Sequence, residues 1–265
     1  SGKVLDHTAI FPTAPQNRAA DAAKVLLDFC KRYGVELISI GNGTASRETD
    51  QFVATLLKAH PELRIKRVIV NEAGASVYSA SELAALEFPD LDVTIRGAVS
   101  IARRLQDPLP ELVKIDPKSI GVGQYQHDVN QSELARSLDT VVEDCVNSVG
   151  VDLNTASVPL LTRVSGLSPT TAKAVVRWRE ANGAFANRQQ LLKVSGLGAK
   201  TFEQSAGFLR IRDGDNPLDM TSVHPETYPV VERIMAQTGK PIAELMGRAD
   251  MLKTLKPELF AHDTV

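Results

Sequence analysis

Cysteine is nearly missing from this sequence: only Cys30 and Cys145 occur among 265 residues. Two cysteines so far apart exclude a disulfide framework and a zinc-type spacing, and fit a reducing, cytoplasmic setting. Aromatic residues make up 5%. No apolar run approaches the roughly 18 residues that a membrane-spanning helix needs. The opening Ser1-Gly2-Lys3-Val4-Leu5 lacks the apolar stretch of a signal peptide. The five histidines, His7, His60, His127, His224 and His262, show no metal-ligand spacing, so no metal and no cofactor is expected. Gly41-Asn42-Gly43-Thr44 lacks the lysine and the glycine count of a phosphate-binding P-loop. Gly121-Val122-Gly123 reads as a turn, and Asp213-Gly214-Asp215-Asn216 lacks the closing glutamate of a calcium loop.

What is present is an uneven distribution of charge. The net charge is -2. Between Asp152 and Arg212 the basic residues are Arg163, Lys173, Arg177, Arg179, Arg188, Lys193, Lys200, Arg210 and Arg212. The acidic ones there are Asp152, Glu180 and Glu203. The segment therefore carries +6 and the remainder -8. A basic module in an acidic chain suits phosphate binding, and it suits a solvated basic face equally well.

The first part alternates strand and helix patterns, which predicts an α/β layer with a largely parallel sheet. Strands are expected at Lys3–Phe11, Val35–Ile40, Arg67–Val70 and Leu91–Ile95. Helices are expected at Asn17–Tyr33, from a Ser46 cap to Lys58, at Val77–Glu87 and at Ala98–Leu105. Ile115–Val129 reads as loop. A long helix then starts at Asn130, with Glu133 as a capping-box partner, and ends at Gly150. Domain limits are set at 1–151, 152–212 and 213–265, the last a small helical region with helices near Pro229–Gln237, Pro241–Met246 and Ala249–Lys256.

The middle segment contains an internal repeat. Leu161-Thr162-Arg163-Val164-Ser165-Gly166-Leu167-Ser168 recurs thirty residues later as Leu191-Leu192-Lys193-Val194-Ser195-Gly196-Leu197-Gly198. Each copy reads as a short apolar helix, a tight Ser-Gly-Leu turn and a second helix. Ser168 is suited to cap the first of these second helices, with Pro169 at its first position. Glycine in the turn permits positive φ and removes a side chain, so a phosphate can approach backbone N–H groups. Gly166, Ser168, Gly196 and Gly198 are the candidate contacts, with Lys173, Lys200 and Thr201 close behind. Such contacts hold the sugar–phosphate backbone and carry no sequence code. The pair resembles a tandem helix-hairpin-helix module, whose turn is Gly-hydrophobic-Gly. The second copy fits that pattern; the first departs from it at Ser168, and either copy could instead only pack the pair together. Trp178, Phe185, Phe202 and Phe208 lie at core-like spacings, so base stacking is not expected.

Longer strings extend the likeness. Thr13-Ala14-Pro15-Gln16, Gly41-Asn42-Gly43-Thr44-Ala45-Ser46-Arg47-Glu48-Thr49 and Asn71-Glu72-Ala73-Gly74-Ala75-Ser76 are three of them. Ser100-Ile101-Ala102-Arg103-Arg104-Leu105 and Ile120-Gly121-Val122-Gly123-Gln124-Tyr125 are two more. Through these, the whole chain resembles the Tex family of bacterial transcription accessory proteins. The resemblance implies an incomplete ribonuclease H-like, YqgF-type α/β domain. An all-α tandem helix-hairpin-helix and a small helical C-terminal region would come after it. It also implies an internal piece of a longer protein, lacking the first nuclease-like strand and a C-terminal S1 domain.

A ribonuclease H-like nuclease holds two metal ions on three or four carboxylates. Glu72 matches the place of a second carboxylate, and Asp144 or Asp152 could be a distant third. Glu72 could equally cap the helix near Ser76 or pair with Arg47. The expected function is a non-catalytic, sequence-independent nucleic-acid-binding scaffold, monomeric, linked to the transcription machinery. A protein-interaction spacer and a metal-dependent nuclease are the alternatives.

Overall fold

The computed structural model describes residues 3–245, 247, 248 and 260. These form two compact units, Ser1–Gln131 and Ser132–Val265.

The first unit begins with an irregular segment, then α1 (Ala19–Arg32), β1 (Leu37–Gly41), α2 (Ser46–Ala59) and β2 (Lys66–Val70). β1 and β2 pair in parallel, Leu37 opposite Lys66 and Gly41 opposite Val70. The α2 crossover makes this a βαβ unit, as the alternation predicted. Ala22, Cys30, Ile40, Val53, Leu56 and Val70 are buried. Then come α3 (Ala75–Ser79), α4 (Glu82–Glu87), α5 (Val93–Gln106) and α6 (Pro108–Leu112). Tyr78, Ala84 and Ile115 form a second small core beneath them.

Four local expectations are corrected by the backbone and its hydrogen bonds. Lys3–Phe11 is not a strand: among the described residues it has no ladder partner, and Phe11 instead accepts from the Arg18 N–H at 2.8 Å. Leu91–Ile95 is not a strand either. Asp92 Oδ1 accepts from the N–H groups of Thr94 (2.7 Å) and Ile95 (3.0 Å), so α5 begins inside the apolar run. A strong N-cap outweighs β-propensity over so short a stretch. The helix expected at Val77–Glu87 is two helices, because Ser81 turns out of α3 and its hydroxyl accepts from the Ala84 N–H. Ser46 is not a cap; Ala45 holds that place at φ 57°, with no side-chain bond.

The second unit opens with the expected long helix, α7 (Gln131–Val149), which leads into β3 (Val151–Asp152). Among its further elements are α8 (Val158–Leu161), α9 (Pro169–Asn182), a 3-10 turn at Arg188–Lys193, α10 (Ala199–Ser205), β4 (Leu209–Arg210), α11 (Tyr228–Thr238) and α12 (Ile242–Leu245). β3 and β4 pair in parallel, Val151 with Leu209, so the two ends of the repeat are tied together. The helix expected at Ala249–Lys256 lies outside the described residues.

One buried polar node joins the repeat to the segment between β4 and α11. Arg188 is 1% exposed. Its guanidinium donates to the carbonyls of Leu209 (2.8 Å), Val223 (2.7 Å) and Thr221 (2.6 Å), and to the Tyr228 hydroxyl (2.7 Å). Asp219, equally buried, accepts from the Arg188 N–H and from the Tyr228 hydroxyl. Burial and the bond to Asp219 push the Tyr228 phenol well above its ordinary pKa. A charge taken out of water persists only when its bonding capacity is filled in this way. The turn Asp213–Pro217 is pinned as well: Asp215 N–H donates to Ala186 O, and Asn187 Nδ2 donates to Asp215.

Candidate nucleic-acid interface

The two repeat copies fold alike. Leu161 and Leu191 are fully buried, as are Val164 and Val194 to within 3%. The Val164 N–H donates to Leu161 O and the Val194 N–H to Leu191 O, both at 3.0 Å. The Leu167 N–H donates to Val164 O at 3.0 Å, and the Leu197 N–H to Val194 O at 3.1 Å. Gly166 and Gly196 sit at φ 81° and 80°. Ser168 and Gly198 both hold extended N-cap backbone. Leu167 and Leu197, the middle residues of the turns, are 7% and 3% exposed. Each turn is thus nailed to the core by its leucine while the positive-φ glycine reverses the chain. This is helix-hairpin-helix geometry, twice.

The copies differ in what covers them. In the first, Asn147 of α7 accepts from the Ser165 N–H (3.0 Å) and donates to Arg163 O (3.3 Å). Ser168 and Thr171 form a reciprocal capping box: Thr171 Oγ1 takes the Ser168 N–H at 2.7 Å, and Ser168 Oγ takes the Thr171 N–H at 3.2 Å. A Cβ on Gly166 would stand 2.7 Å from Gln204 Cβ, so α10 lies against that turn. The first hairpin's N–H groups are therefore largely spent within the protein.

The second hairpin is open. A Cβ on Gly196 or Gly198 would meet nothing within 4 Å. Gly198 has no side chain to cap α10, and no side chain does so from elsewhere. Thr201, at the position of Thr171, makes no such box. The N–H groups of Gly196 and Gly198 have no acceptor among the described residues, which leaves them available to an oxyanion.

The basic residues divide the same way. Arg163 is paired with Asp139 at 2.7 Å, and Arg212 with Asp152 at 3.5 Å. Arg179 donates to Leu153 O and Ala156 O, and Arg210 to Gly207 O. Burial lowers the pKa of both. With Arg188, five of the nine cations have partners in the protein, Arg212 by an exposed ion pair and the others by half-buried or buried contacts. Lys173, Arg177, Lys193 and Lys200 are exposed, and none has an ion-pair partner among the described residues. Lys193 and Lys200 flank the open hairpin. Lys193 stands where the first copy has the neutralised Arg163, a contrast the sequence alone did not reveal. Of the four aromatics expected in the core, Phe185 is buried and stacks on Trp178 at 4.2 Å, while Trp178, Phe202 and Phe208 are half-buried.

In the first unit, Glu72 does neither of the structural jobs foreseen for it. Gly74 is the N-cap of α3, and no Glu72–Arg47 pair forms. The carboxylate lies over the Gly41–Gly43 turn, where a Cβ on either glycine would collide with it. Asn42 Oδ1 takes the Glu72 N–H at 3.0 Å. Among the described residues, no three His, Cys, Asp or Glu side chains are grouped to hold a metal ion. No described helix is long and apolar enough to cross a membrane.

The fold and the paired turns define a YqgF-like protein carrying helix-hairpin-helix elements. Comparison with known families agrees. Residues 1–106 match the Tex protein YqgF-like domain, residues 146–210 the helix-hairpin-helix motif, and residues 216–265 an HHH domain. The chain is 64% identical to Protein YhgF of Escherichia coli, over 99% of this chain and 34% of that protein. It is 61% identical to Protein tex of Bordetella pertussis, over 99% of this chain and 33% of that one. With the Transcriptional accessory protein Tex of Neisseria gonorrhoeae the identity is 60%, over 99% and 34%. The chain belongs to the Tex family, and it spans about a third of the length of these curated relatives.

Proposed function

We infer that this chain binds the sugar–phosphate backbone of nucleic acid through its second hairpin, without reading base sequence and without catalysis. The observation that carries this is the contrast in bonding between the hairpins: Gly196 and Gly198 have free space where a Cβ would stand and α10 has no side-chain cap, with Lys193 and Lys200 beside them and unpaired among the described residues. Gly196, Gly198, Lys200 and Thr201 are the proposed contacts, and Lys193 joins them. Gly166 and Ser168 serve packing instead, so a spacer role belongs to the first hairpin rather than to the whole module. Lys173 adds charge behind it. Independence from sequence follows from backbone-only contacts, since base edges are what encode specificity. A role beside the transcription machinery is supported by the name of the Neisseria gonorrhoeae relative, a transcriptional accessory protein. Two unpaired cysteines, one buried and one exposed, suit a cytoplasmic protein.

The test is fluorescence anisotropy of labelled oligonucleotides with the chain and its Gly196→Asp, Gly198→Asp variant, with folding checked by circular dichroism. Binding is expected to fall at least tenfold in the variant and to be little changed by Gly166→Asp when that protein folds. Equal binding by wild type and the second-hairpin variant would sink the reading.

A further inference from the structure

The first unit holds a cleft of about 390 Å³ at the carboxyl end of β1, enclosed by residues 10–13, β1, the start of α2 and Glu72. Crevices at that end of parallel strands are where open α/β folds seat ligands. Its polar lining is Thr13, Ser39, Thr44, Ser46, Thr49 and Glu72. Among the described residues none of these six side chains has a hydrogen-bond partner. Five hydroxyls can donate or accept; the carboxylate only accepts. Leu26 and Phe52 supply an apolar wall. No Lys, Arg or His lines the cleft, so its one charge is negative.

That set of groups selects among ligands. A phosphate would face the Glu72 carboxylate with no cationic side chain in the lining, Arg104 acting on Glu72 only from outside it. A purely apolar ligand would leave Glu72 and five hydroxyls unsatisfied at a cost for each. The complement is a neutral molecule with adjacent hydroxyls to donate to the carboxylate and a flat apolar part for the wall. We propose that this cleft binds a ribonucleoside, with the ribose 2′- and 3′-hydroxyls donating to Glu72 and the base lying against Leu26 and Phe52. Gly41 and Gly43 are then explained: any side chain there would displace the carboxylate that receives the diol.

The experiment is a ¹H–¹⁵N NMR titration of the 265-residue chain with uridine and adenosine, beside 2′-deoxyuridine, uridine 5′-monophosphate and magnesium chloride. Saturable shifts of the Gly43, Thr49 and Glu72 amides are expected with the ribonucleosides. The deoxy analogue should bind about tenfold more weakly, the loss expected for one hydrogen bond to a charged group. Glu72→Ala should abolish the shifts, and Thr49→Val, which keeps shape and removes a hydroxyl, should weaken them; the same spectra report folding. Absence of saturation at millimolar nucleoside overturns the proposal. So does equal binding of the deoxy analogue, tighter binding of the monophosphate, or a Glu72 response to magnesium alone.

Discussion

Salt dependence of binding gives a number that the arrangement of cations fixes in advance. Each phosphate neutralised on duplex DNA contributes about -0.9 to the slope of log K against log salt. If all nine basic residues between Asp152 and Arg212 reached phosphates, the slope would be about -8, and affinity would fall on the order of a hundred-thousandfold between 50 and 200 mM salt. Five of those cations are committed to Asp139, Asp152 and backbone or hydroxyl acceptors. The four exposed ones without a partner give about -3.6, or roughly 150-fold over that range. The open hairpin alone, with Lys193 and Lys200, gives about -1.8 and roughly a 12-fold loss. Anisotropy titrations of a duplex at four salt concentrations, repeated with Lys193→Gln, Lys200→Gln, measure this directly. The expected slope lies between about -1.8 and -3.6, falling by about 1.8 in the double variant. A slope near -8, or one that the double variant leaves unchanged, would refute the division of the cations into engaged and available.

Packing sets the size of three further effects. Arg188→Met removes four donor contacts and leaves the carbonyls of Leu209, Thr221 and Val223 without them, so it should lower unfolding free energy in urea by about 3–5 kcal/mol. Gly166→Ala and Gly196→Ala both place Cβ at positive φ, costing about 1–3 kcal/mol by chemical denaturation. Only Gly166→Ala also drives a Cβ into Gln204, so it should be the more destabilising of the two. Asp92→Ala deletes both acceptor bonds at the start of α5 and should cost about 0.5–2 kcal/mol in the same assay.

The repeat was legible because a thirty-residue echo of Leu, Val and Gly encodes the same buried positions and the same positive φ twice. The βαβ core was legible from periodicity. The strand expected at Lys3–Phe11 was not testable by pattern, since a strand is defined by a partner ladder and its apolar alternation says nothing of one. Leu91–Ile95 misled because the decisive residue, Asp92, acts through two backbone N–H groups rather than through hydropathy. Arg188 counted as surface charge for the same kind of reason: its acceptors lie 21 to 40 residues away. The two turns are alike in exposure, and what sets them apart is the bonding of Asn147 and the approach of Gln204, which sit outside both repeated strings.

Gln204 also couples the two copies. α10 holds Lys200 and Thr201 at the open turn, and one helical turn further on it presents Gln204 to Gly166 of the other copy. The two turns thus share a single lever, seven residues long. A tilt of α10 that draws its first turn toward a ligand would also move Gln204 against Gly166, so the two halves of the duplicated motif are mechanically linked.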